Sequence, residues 1–464
     1  MNYLILLPPA ITITLALWTK EVFSSLLIGI IIGVGIIHGF DLHLFSNFLE
    51  RNFLPTLANT DHLKVIIFSL SIGGIASLLQ HNGGINGLIN IIEKKQRTKR
   101  SIEFYTYFLG LAIFFDDYAN TLITGNAMQK LFDKYKISRE KLALIVDTTS
   151  APITSIAFVT TWIGFELSQI ETPLANTDLS YSAYDLFLGS LKFAFYPILM
   201  LSFIAIIIWF KIDIGSIKNT KHIPFSSTEL QKGNILKLII PILFLILSTL
   251  YFLIETHIND NFEWSQVAIY LGKGDPFTSL FYSSLLTLTL MILWETSFKR
   301  SLKTQLLHTA VGFKHMFTPV GILILAWMFG QVMKELEVGL LLAQNLQSTT
   351  AIIYLPVLVF LISAGISFTT GSSFGTMSIV YPLIIPIMYS LAPNNTHLME
   401  LSIASVLGGS VFGDHCSPIS DTTIMSSMAS GVDHISHVKT QLPYALIIGV
   451  VSAVTIFITS YILY

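Results

Sequence analysis

Four aspartates lie between long apolar runs of this sequence, each beside residues that carry hydroxyl groups. Asp117 lies in "DDYAN" (116–120), Asp147 opens "DTTSAP", and Asp414 and Asp421 lie in "GDHCSPISD" (413–421). Carboxylate, hydroxyl and backbone carbonyl oxygens are hard ligands, which suit a small hard cation. Asp and Ser in such stretches are also preferred helix N-caps. The residue types therefore predict either a cation site or capped helix ends, and both interpretations stay open.

A second set of polar residues accompanies these aspartates and could complete a site. It comprises Asn120, Thr148, Ser150, Thr370, Gly371, Ser372, His415, Ser417 and Ser420. The hydroxyl and amide groups are either ligands or partners for backbone groups that an interrupted membrane helix leaves free. Gly371 permits a tight turn. His415 either moves protons near neutral pH or acts as a structural hydrogen-bond donor.

The same residues disfavour a transition-metal centre and an enzyme active site. Ligands adjacent in sequence, as in "DHC" (414–416), rarely face one centre, and Cys416 is the single cysteine. No Ser/His/Asp constellation for nucleophilic catalysis is complete. We therefore expect neither an enzyme nor a protein with a bound cofactor.

The composition of the chain shows what surrounds these polar residues. Of the 464 residues, 53% are hydrophobic and 12% are charged. That charged share is about half the usual share in soluble domains. Runs such as 196–210 and 235–254 approach the roughly 20 residues that cross a bilayer. The sequence predicts an all-α, polytopic membrane protein whose N-terminal run is a span and not a removable signal.

Basic residues cluster in a few segments and indicate how the chain is oriented. Of the 26 lysines and arginines, 21 belong to segments 93–100, 133–141, 211–237 and 295–303 when Lys20, Lys130, Lys314 and Lys439 are counted with their nearest basic loops. The exceptions are Arg51, Lys64, Lys192, Lys273 and Lys334. Short loops rich in Lys and Arg face the cytoplasm. We therefore expect a multi-pass protein of the cell (inner) membrane with its N-terminus outside.

Two apolar stretches with polar centres are predicted to be re-entrant hairpins. The 29 residues of 104–132 lie between two cytoplasmic segments, so they must enter and leave the membrane on one side, with "DDYAN" at the tip. A second hairpin is predicted over 352–390, with "TTGSSFG" (369–375) at its tip, entering from the opposite face. Non-helical backbone at membrane depth must be surrounded by protein or line a cavity.

Each hairpin is followed by a span that a polar stretch containing proline interrupts. The broken helices are predicted at 142–168 and 398–430, and "SAPITS" aligns with "CSPISD" on Pro152 and Pro418. Proline removes a backbone donor and frees carbonyl groups from the helical ladder. An external loop is predicted at 166–185, after the first break.

This order of elements occurs twice along the chain. We predict two inverted repeats, 1–210 and 235–464, joined by a cytoplasmic linker at 211–234. They would supply about ten spans, two re-entrant hairpins and two broken helices, a design in which transporters place their site near the bilayer midplane. A carboxylate at that depth holds either a proton or a metal cation, and this competition is a physical basis for proton/sodium exchange.

Three motifs resemble those of the NhaC family of sodium/proton antiporters: "FFDDYANTLITGN" (114–126), "SREKLALIVDTTSAP" (138–152) and "GDHCSPISDTT" (413–423). The resemblance covers the whole chain and implies an electrochemically driven exchanger with no ATP site and no cofactor. By position it implicates Asp117, Asn120, Asp147, Thr148, Ser150, Thr370, Gly371, Ser372, Asp414, His415, Ser417 and Ser420. Of these, Asp117, Asp147 and Asp414 would hold Na⁺.

Other functions stay open on the sequence alone. The same family contains sodium-linked carriers of organic acids and amino acids, so the motifs could build a sodium site beside an organic solute. No basic residue is expected among the central elements, which disfavours a dianionic solute more than an amino acid. A passive channel fits inverted hairpins less well than alternating access does. The expected partners are Na⁺, H⁺ and the lipid bilayer, with no nucleic acid, and a homodimer is an allowed assembly.

Overall fold

A computed structural model of the chain describes residues 3–19, 21–84, 87, 98–174, 182–219, 233–255, 275–297, 301–338, 341 and 349–464. Every regular element within these ranges is helical. The all-α prediction is therefore confirmed. Segment 93–97 and most of the predicted linker, 220–232, lie outside the described residues.

Nine longer helices precede the linker in the part of the chain that the structure describes. They are α1 (Leu7–Thr19), α2 (Val22–His38), α3 (Thr60–His81), α4 (Lys99–Ala112), α5 (Asp117–Lys134), α6 (Arg139–Thr148), α7 (Thr161–Leu174), α8 (Ala183–Leu191) and α9 (Phe195–Phe210). Short helical turns occur at Tyr3–Leu6, Leu44–Asn47, Phe48–Phe53, Leu54–Ala58, Ala151–Thr154 and Gly215–Asn219.

Eight helices follow the linker within the described residues. They are α10 (Leu236–Glu255), α11 (Pro276–Ser297), α12 (Leu302–Glu335), α13 (Thr349–Thr370), α14 (Ser373–Leu391), α15 (Thr396–Cys416), α16 (Asp421–Ser430) and α17 (His434–Leu463).

Eight helical stretches in the described part of the chain are long and apolar enough to cross a membrane. They are Thr60–His81, Ala183–Ile217, Leu236–Glu255, Pro276–Thr296, Leu302–Glu335, Ile352–Thr370, Ser373–Leu391 and His434–Leu463. Shorter apolar helices occur at Leu4–Ala16 and Val22–His38. Every backbone polar group inside a bilayer must be paired within the protein, and a helix pairs its own backbone groups. Such a set of long apolar helices is therefore that of a multi-pass membrane protein.

The first predicted hairpin corresponds to α4 and α5. They are joined by residues 113–116, so the turn lies earlier than the predicted tip at 116–120. Asp116 has extended backbone, and its carboxylate accepts a hydrogen bond from the backbone N–H of Ala119 at 2.7 Å. This N-cap starts α5 at Asp117 and places that carboxylate in the first helical turn.

The second predicted hairpin corresponds to α13 and α14, which meet at a sharper turn. Gly371 adopts a φ of +66°, a conformation that costs side chains other than glycine free energy. Ser372 then caps α14, since its hydroxyl accepts from the backbone N–H of Gly375 at 3.1 Å. The tip is therefore only two residues long between the helix ends.

Two helices are interrupted where the sequence predicts breaks. Residues 149–160 separate α6 from α7 and contain Pro152, and residues 417–420 separate α15 from α16 and contain Pro418. The prediction of a loop at 166–185 is wrong for its first residues, because α7 continues to Leu174. The polar residues that suggested a loop, Glu166 and Gln169 among them, are buried on this helix.

The two halves of the chain exchange contacts at these elements. Helix α16 packs against α5 and α6, and α14 packs against α7. Glycines hold the second interrupted helix close to the second hairpin: a Cβ on Gly409 or Gly413 would stand 2.3 Å from the carbonyl oxygen of Phe360 or Ala364 on α13. Small residues at this spacing let membrane helices approach closely. The inverted relation of the halves stays a prediction.

Candidate functional site

A cavity of about 250 Å³ lies where the N-termini of five helices, α2, α5, α7, α14 and α16, meet. Its lining includes Asp117 of α5, Trp162 of α7, Ser372 just before α14, and Asp421 and Thr422 of α16. We call it the central cavity. Both polar tips and the second helix break thus contribute to one space, as the sequence predicts.

The central cavity has a strongly acidic lining. Asp117, Asp414 and Asp421 line it together with Glu21, which caps α2. Its described lining contains no Lys, Arg or His. Helix N-termini carry partial positive charge and stabilise nearby carboxylates, so the five helix ends oppose part of this negative charge. A cation would oppose the rest.

Asp414 is the carboxylate best placed to accept a ligand. It is buried at the end of α15, and its Oδ2 accepts a hydrogen bond from the Thr422 hydroxyl at 3.1 Å. Its Oδ1 is buried as well and has no hydrogen-bond partner among the described residues. A buried acceptor without a hydrogen-bond partner destabilises the folded protein. This indicates that Oδ1 binds a ligand or a proton.

Asp117 and Asp421 complete the acidic set from opposite halves of the chain. Asp117 is buried, and its Oδ1 accepts a hydrogen bond from the adjacent backbone N–H of Tyr118 at 3.1 Å. The Tyr118 hydroxyl donates a hydrogen bond to Asp421 Oδ2. Tyr118 therefore connects the first tip to the second break. Asp421, by contrast with Asp117 and Asp414, is exposed.

Asp147 lies away from the central cavity and is surrounded by donors. Its Oδ2 accepts from Thr423 Oγ1 at 3.0 Å, from Gln441 Nε2 at 2.5 Å and from His437 Nε2 at 3.3 Å. Its Oδ1 accepts from Ser426 Oγ at 3.1 Å. With both oxygens occupied and no exposed surface, this carboxylate anchors α16 and α17 to α6 in the described conformation.

His415 joins the two helix breaks directly. Its Nε2 lies 3.1 Å from the backbone carbonyl oxygen of Asp147, which can only accept, so Nε2 carries the hydrogen. Its Nδ1 then accepts from the Tyr196 hydroxyl at 3.1 Å. Both ring nitrogens are thus engaged. The sequence allows His415 either to move protons or to act as a structural hydrogen-bond donor. This geometry is typical of the structural donor.

Several predicted ligands instead satisfy backbone groups that the interruptions leave free. Asn120 Nδ2 donates to the carbonyl oxygens of Gly110 and Thr149, and Ser150 Oγ donates to the carbonyl oxygen of Asp147 at 2.7 Å. Thr148 differs, because its hydroxyl is buried and has no partner among the described residues. It does not line the central cavity.

The remaining predicted residues divide between the cavity and the caps. Thr370, Gly371 and Ser372 line the central cavity. Ser417 and Ser420 do not, and each accepts a backbone N–H, from Ile419 at 3.2 Å and from Thr423 at 3.3 Å. They hold the turn between α15 and α16. The position of Asp414 and Asp421 depends on that turn.

The three predicted sodium carboxylates are not brought together. Asp117 and Asp414 share the central cavity and Asp147 does not. Within the described ranges, no group of three or more His, Cys, Asp or Glu side chains is arranged to hold a metal ion. A sodium ion here would need hydroxyl and carbonyl oxygens beside the carboxylates.

Among the lining residues that sequence reasoning missed are Glu21, Tyr118, Trp162 and Thr422. Thr422 and Tyr118 lie inside motifs that were selected, so proximity in sequence could have found them. Glu21 and Trp162 come from other helices. Only the packing of those helices reveals them.

Comparison with known proteins adds independent findings. A sequence model of the Na⁺/H⁺ antiporter family matches residues 158–461. A protein of Haemophilus influenzae with no assigned function is 29% identical over 97% of this chain and 89% of its own length. The malate-2H⁺/Na⁺-lactate antiporter of Bacillus subtilis is 31% identical over 29% of this chain and 27% of its own length.

A solved structure shares the fold. The crystal structure of the Alcanivorax borkumensis YdaH transporter superposes with a TM-score of 0.64 over 90% of this chain and 89% of that chain. The two sequences are 14% identical, so the likeness concerns the arrangement of helices and not the ligand.

Proposed function

The chain belongs to the Na⁺/H⁺ antiporter family and is a secondary transporter, and we propose that it exchanges Na⁺ for H⁺ by competition at Asp117 and Asp414. One observation carries this proposal. Two buried carboxylates from opposite halves of the chain face a single cavity whose described lining has no basic side chain, and Asp414 Oδ1 has no partner.

The exchange follows from the electrostatics of that cavity. Carboxylates away from bulk water need a compensating positive charge, and a proton or a cation can supply it. Because both ligands use the same oxygens, binding of Na⁺ displaces protons and protonation releases Na⁺. Alternating exposure of the cavity to the two sides of the membrane then couples the two flows.

The residues outside the cavity have a positioning role in this proposal. Asp147 and His415 link α6, α15, α16 and α17 through the hydrogen bonds given above. Such a network keeps the two breaks in register while the cavity changes its exposure. We further propose that the basic segments face the cytoplasm and that the protein lies in the cell membrane.

A second candidate function is sodium-coupled carriage of a small organic solute. The volume of about 250 Å³ favours it, because it exceeds the space that a bare ion needs and a water molecule occupies about 30 Å³. The five helix N-termini could hold a solute carboxylate. The three aspartates in the lining oppose a dianion, so an amino acid or a monocarboxylate fits this candidate better.

Reconstituted vesicles distinguish the two functions. A Na⁺ gradient is applied while an internal pH dye is followed, with and without a panel of organic acids and amino acids. We expect Na⁺-evoked proton flux that needs no organic solute, and its loss in Asp414→Asn. Asp41→Asn, which changes an exposed aspartate outside the cavity, should keep the flux.

Strict dependence of the proton flux on an organic solute would select the second candidate. Unchanged flux in a folded Asp414→Asn protein would remove this carboxylate from the mechanism.

A further inference from the structure

Helix α7 carries one polar face that the proposed exchange does not use. Trp162, Glu166 and Gln169 follow at intervals of four and three residues, so their side chains lie on the same side of the helix. Each is 1% exposed. Glutamate is almost never buried to that extent unless it is paired.

Glu166 has no pairing group within the described chain. Both of its carboxyl oxygens are buried without a hydrogen-bond partner, and so is Nε2 of Gln169. Helices α3, α8, α12 and α14 pack against α7, and the titratable group that they bring near Glu166 is Tyr381 of α14. The Tyr381 hydroxyl donates to the carbonyl oxygen of Ile403 at 3.4 Å, so it is engaged elsewhere.

An ionised carboxylate in these surroundings would be an isolated buried charge. Its transfer from water without a compensating charge costs several kcal/mol even after the protein relaxes. No Lys, Arg or His within the described ranges forms an ion pair with it. A proton on the carboxyl group removes the cost and needs no further space.

The position of Glu166 gives that proton a route. Ser168, Glu171 and Thr172 of α7 line a second cavity of about 370 Å³, with Asp61 and His62 of α3 and Lys334 of α12. We call it the terminal cavity. Those three residues of α7 lie on the opposite side of the helix from Glu166, whereas Trp162, one turn before Glu166 on its own face, lines the central cavity with Asp117.

Glu166 therefore lies between two cavities and lines neither. It is four residues from Trp162 and two from Ser168, which corresponds to about 6 Å and about 3 Å along the helix axis. Its carboxyl group shares a face with Trp162, which leads toward the central cavity, and lies on the opposite side of α7 from the residues that line the terminal cavity. In the described conformation it is closed to both.

We propose that Glu166 is a second proton-binding site of the transporter, which exchanges its proton with the central cavity. The O–H bond of a hydronium ion breaks as an O–H bond to the carboxylate forms, and the reverse step releases the proton beside Asp117. The described conformation holds the proton on Glu166. This proposal rests on the proposed sodium/proton exchange.

The test combines transport with a spectroscopic measurement. Glu166→Gln keeps the size of the protonated side chain but cannot release a proton. We expect it to bind Na⁺ with the affinity of the unchanged protein and to lose Na⁺-evoked proton flux by about a hundredfold, the lower end of what a positioned proton-transfer group contributes. Glu166→Asp, which keeps a titratable group, should retain more flux than Glu166→Gln.

Infrared spectroscopy follows the proton without any transport. The unchanged protein should show the C=O stretch of a neutral carboxylic acid that is absent from Glu166→Gln. Glu255→Gln, an exposed change at the end of α10, should keep both the band and the flux.

Equal flux and an equal pH profile in Glu166→Gln would overturn the proposal, and so would an infrared spectrum identical to that of the unchanged protein. If the unchanged protein shows no Na⁺-evoked proton flux, the proposed exchange fails. The infrared band then still decides whether Glu166 holds a proton.

Discussion

At the scale of single residues, the aspartates divide into two chemical kinds. Asp414 keeps one buried oxygen that has no hydrogen-bond partner among the described residues, whereas Asp147 receives four hydrogen bonds from α16 and α17. A carboxylate with a free oxygen can exchange ligands. One that is filled by protein donors holds helices together. We therefore assign ion binding to the first kind and positioning to the second.

This division predicts different effects on stability. Asp147→Leu leaves four donors without an acceptor, while Asp414→Leu leaves the single Thr422 hydroxyl. Because each unpaired buried donor costs about 1–3 kcal/mol, Asp147→Leu should be the more destabilising by at least about 3 kcal/mol. Thermal unfolding in detergent measures both variants. Equal shifts in Tm would show that Asp147 is not an anchor.

The sequence located these aspartates but could not separate them. Asp147 and Asp414 both stand in apolar segments beside hydroxyl residues and before a proline. The donors that fill Asp147 come from Thr423, Ser426, His437 and Gln441, in the other half of the chain. Contacts of that kind follow from helix packing, which composition and spacing do not reveal.

Glu166 was missed for a related reason. It lies in a polar run, "ELSQIE" (166–171), that is typical of a loop, and the structure buries residues 166–170 of that run in a helix interface. A buried polar face and a solvated loop have similar compositions. Only the neighbours α3, α12 and α14 distinguish them.

At the scale of elements, the polar tips and breaks were predictable because proline, glycine and N-cap residues act locally. Asp116, Ser372 and Ser420 each cap the helix that follows, by accepting a backbone N–H. The boundaries were less predictable. Residues 117–120, expected at a tip, already belong to α5, since the cap at Asp116 lets the helix begin at once.

The second tip depends on one glycine. A Cβ on Gly371 would lie 2.4 Å from the carbonyl oxygen of Ile419, and its φ is +66°. Gly371→Ala should therefore destabilise the turn by about 1–3 kcal/mol from backbone strain alone, and should displace the second break. Proton flux in vesicles and Tm should both fall.

Gly365→Ala is the matched control, because a Cβ at Gly365 meets no atom within 4 Å. Alanine favours a helix interior, so this variant should be neutral or slightly stabilising. Equal behaviour of the two variants would contradict the role given to the tip.

At the scale of the whole molecule, elements of both halves build one site. Helix α16 packs on the first hairpin and α7 packs on the second, so movement of one half against the other must change the central cavity. The sequence could predict which of these elements meet. It could not predict how wide the cavity is, because the width depends on how the two halves pack together. Its width depends on helices α2, α7 and α12, none of which carries a motif that sequence reasoning selected.

The central claim is that Na⁺ and protons compete for the carboxylates of this cavity. The most direct measurement is the apparent Kd for radiolabelled Na⁺ on the purified protein as a function of pH. Because protonated carboxylates cannot bind Na⁺, we predict that the apparent Kd rises as the pH falls, by about tenfold per pH unit where one proton leaves for each Na⁺ bound. Saturable Na⁺ binding with a Kd that does not change with pH would contradict the account.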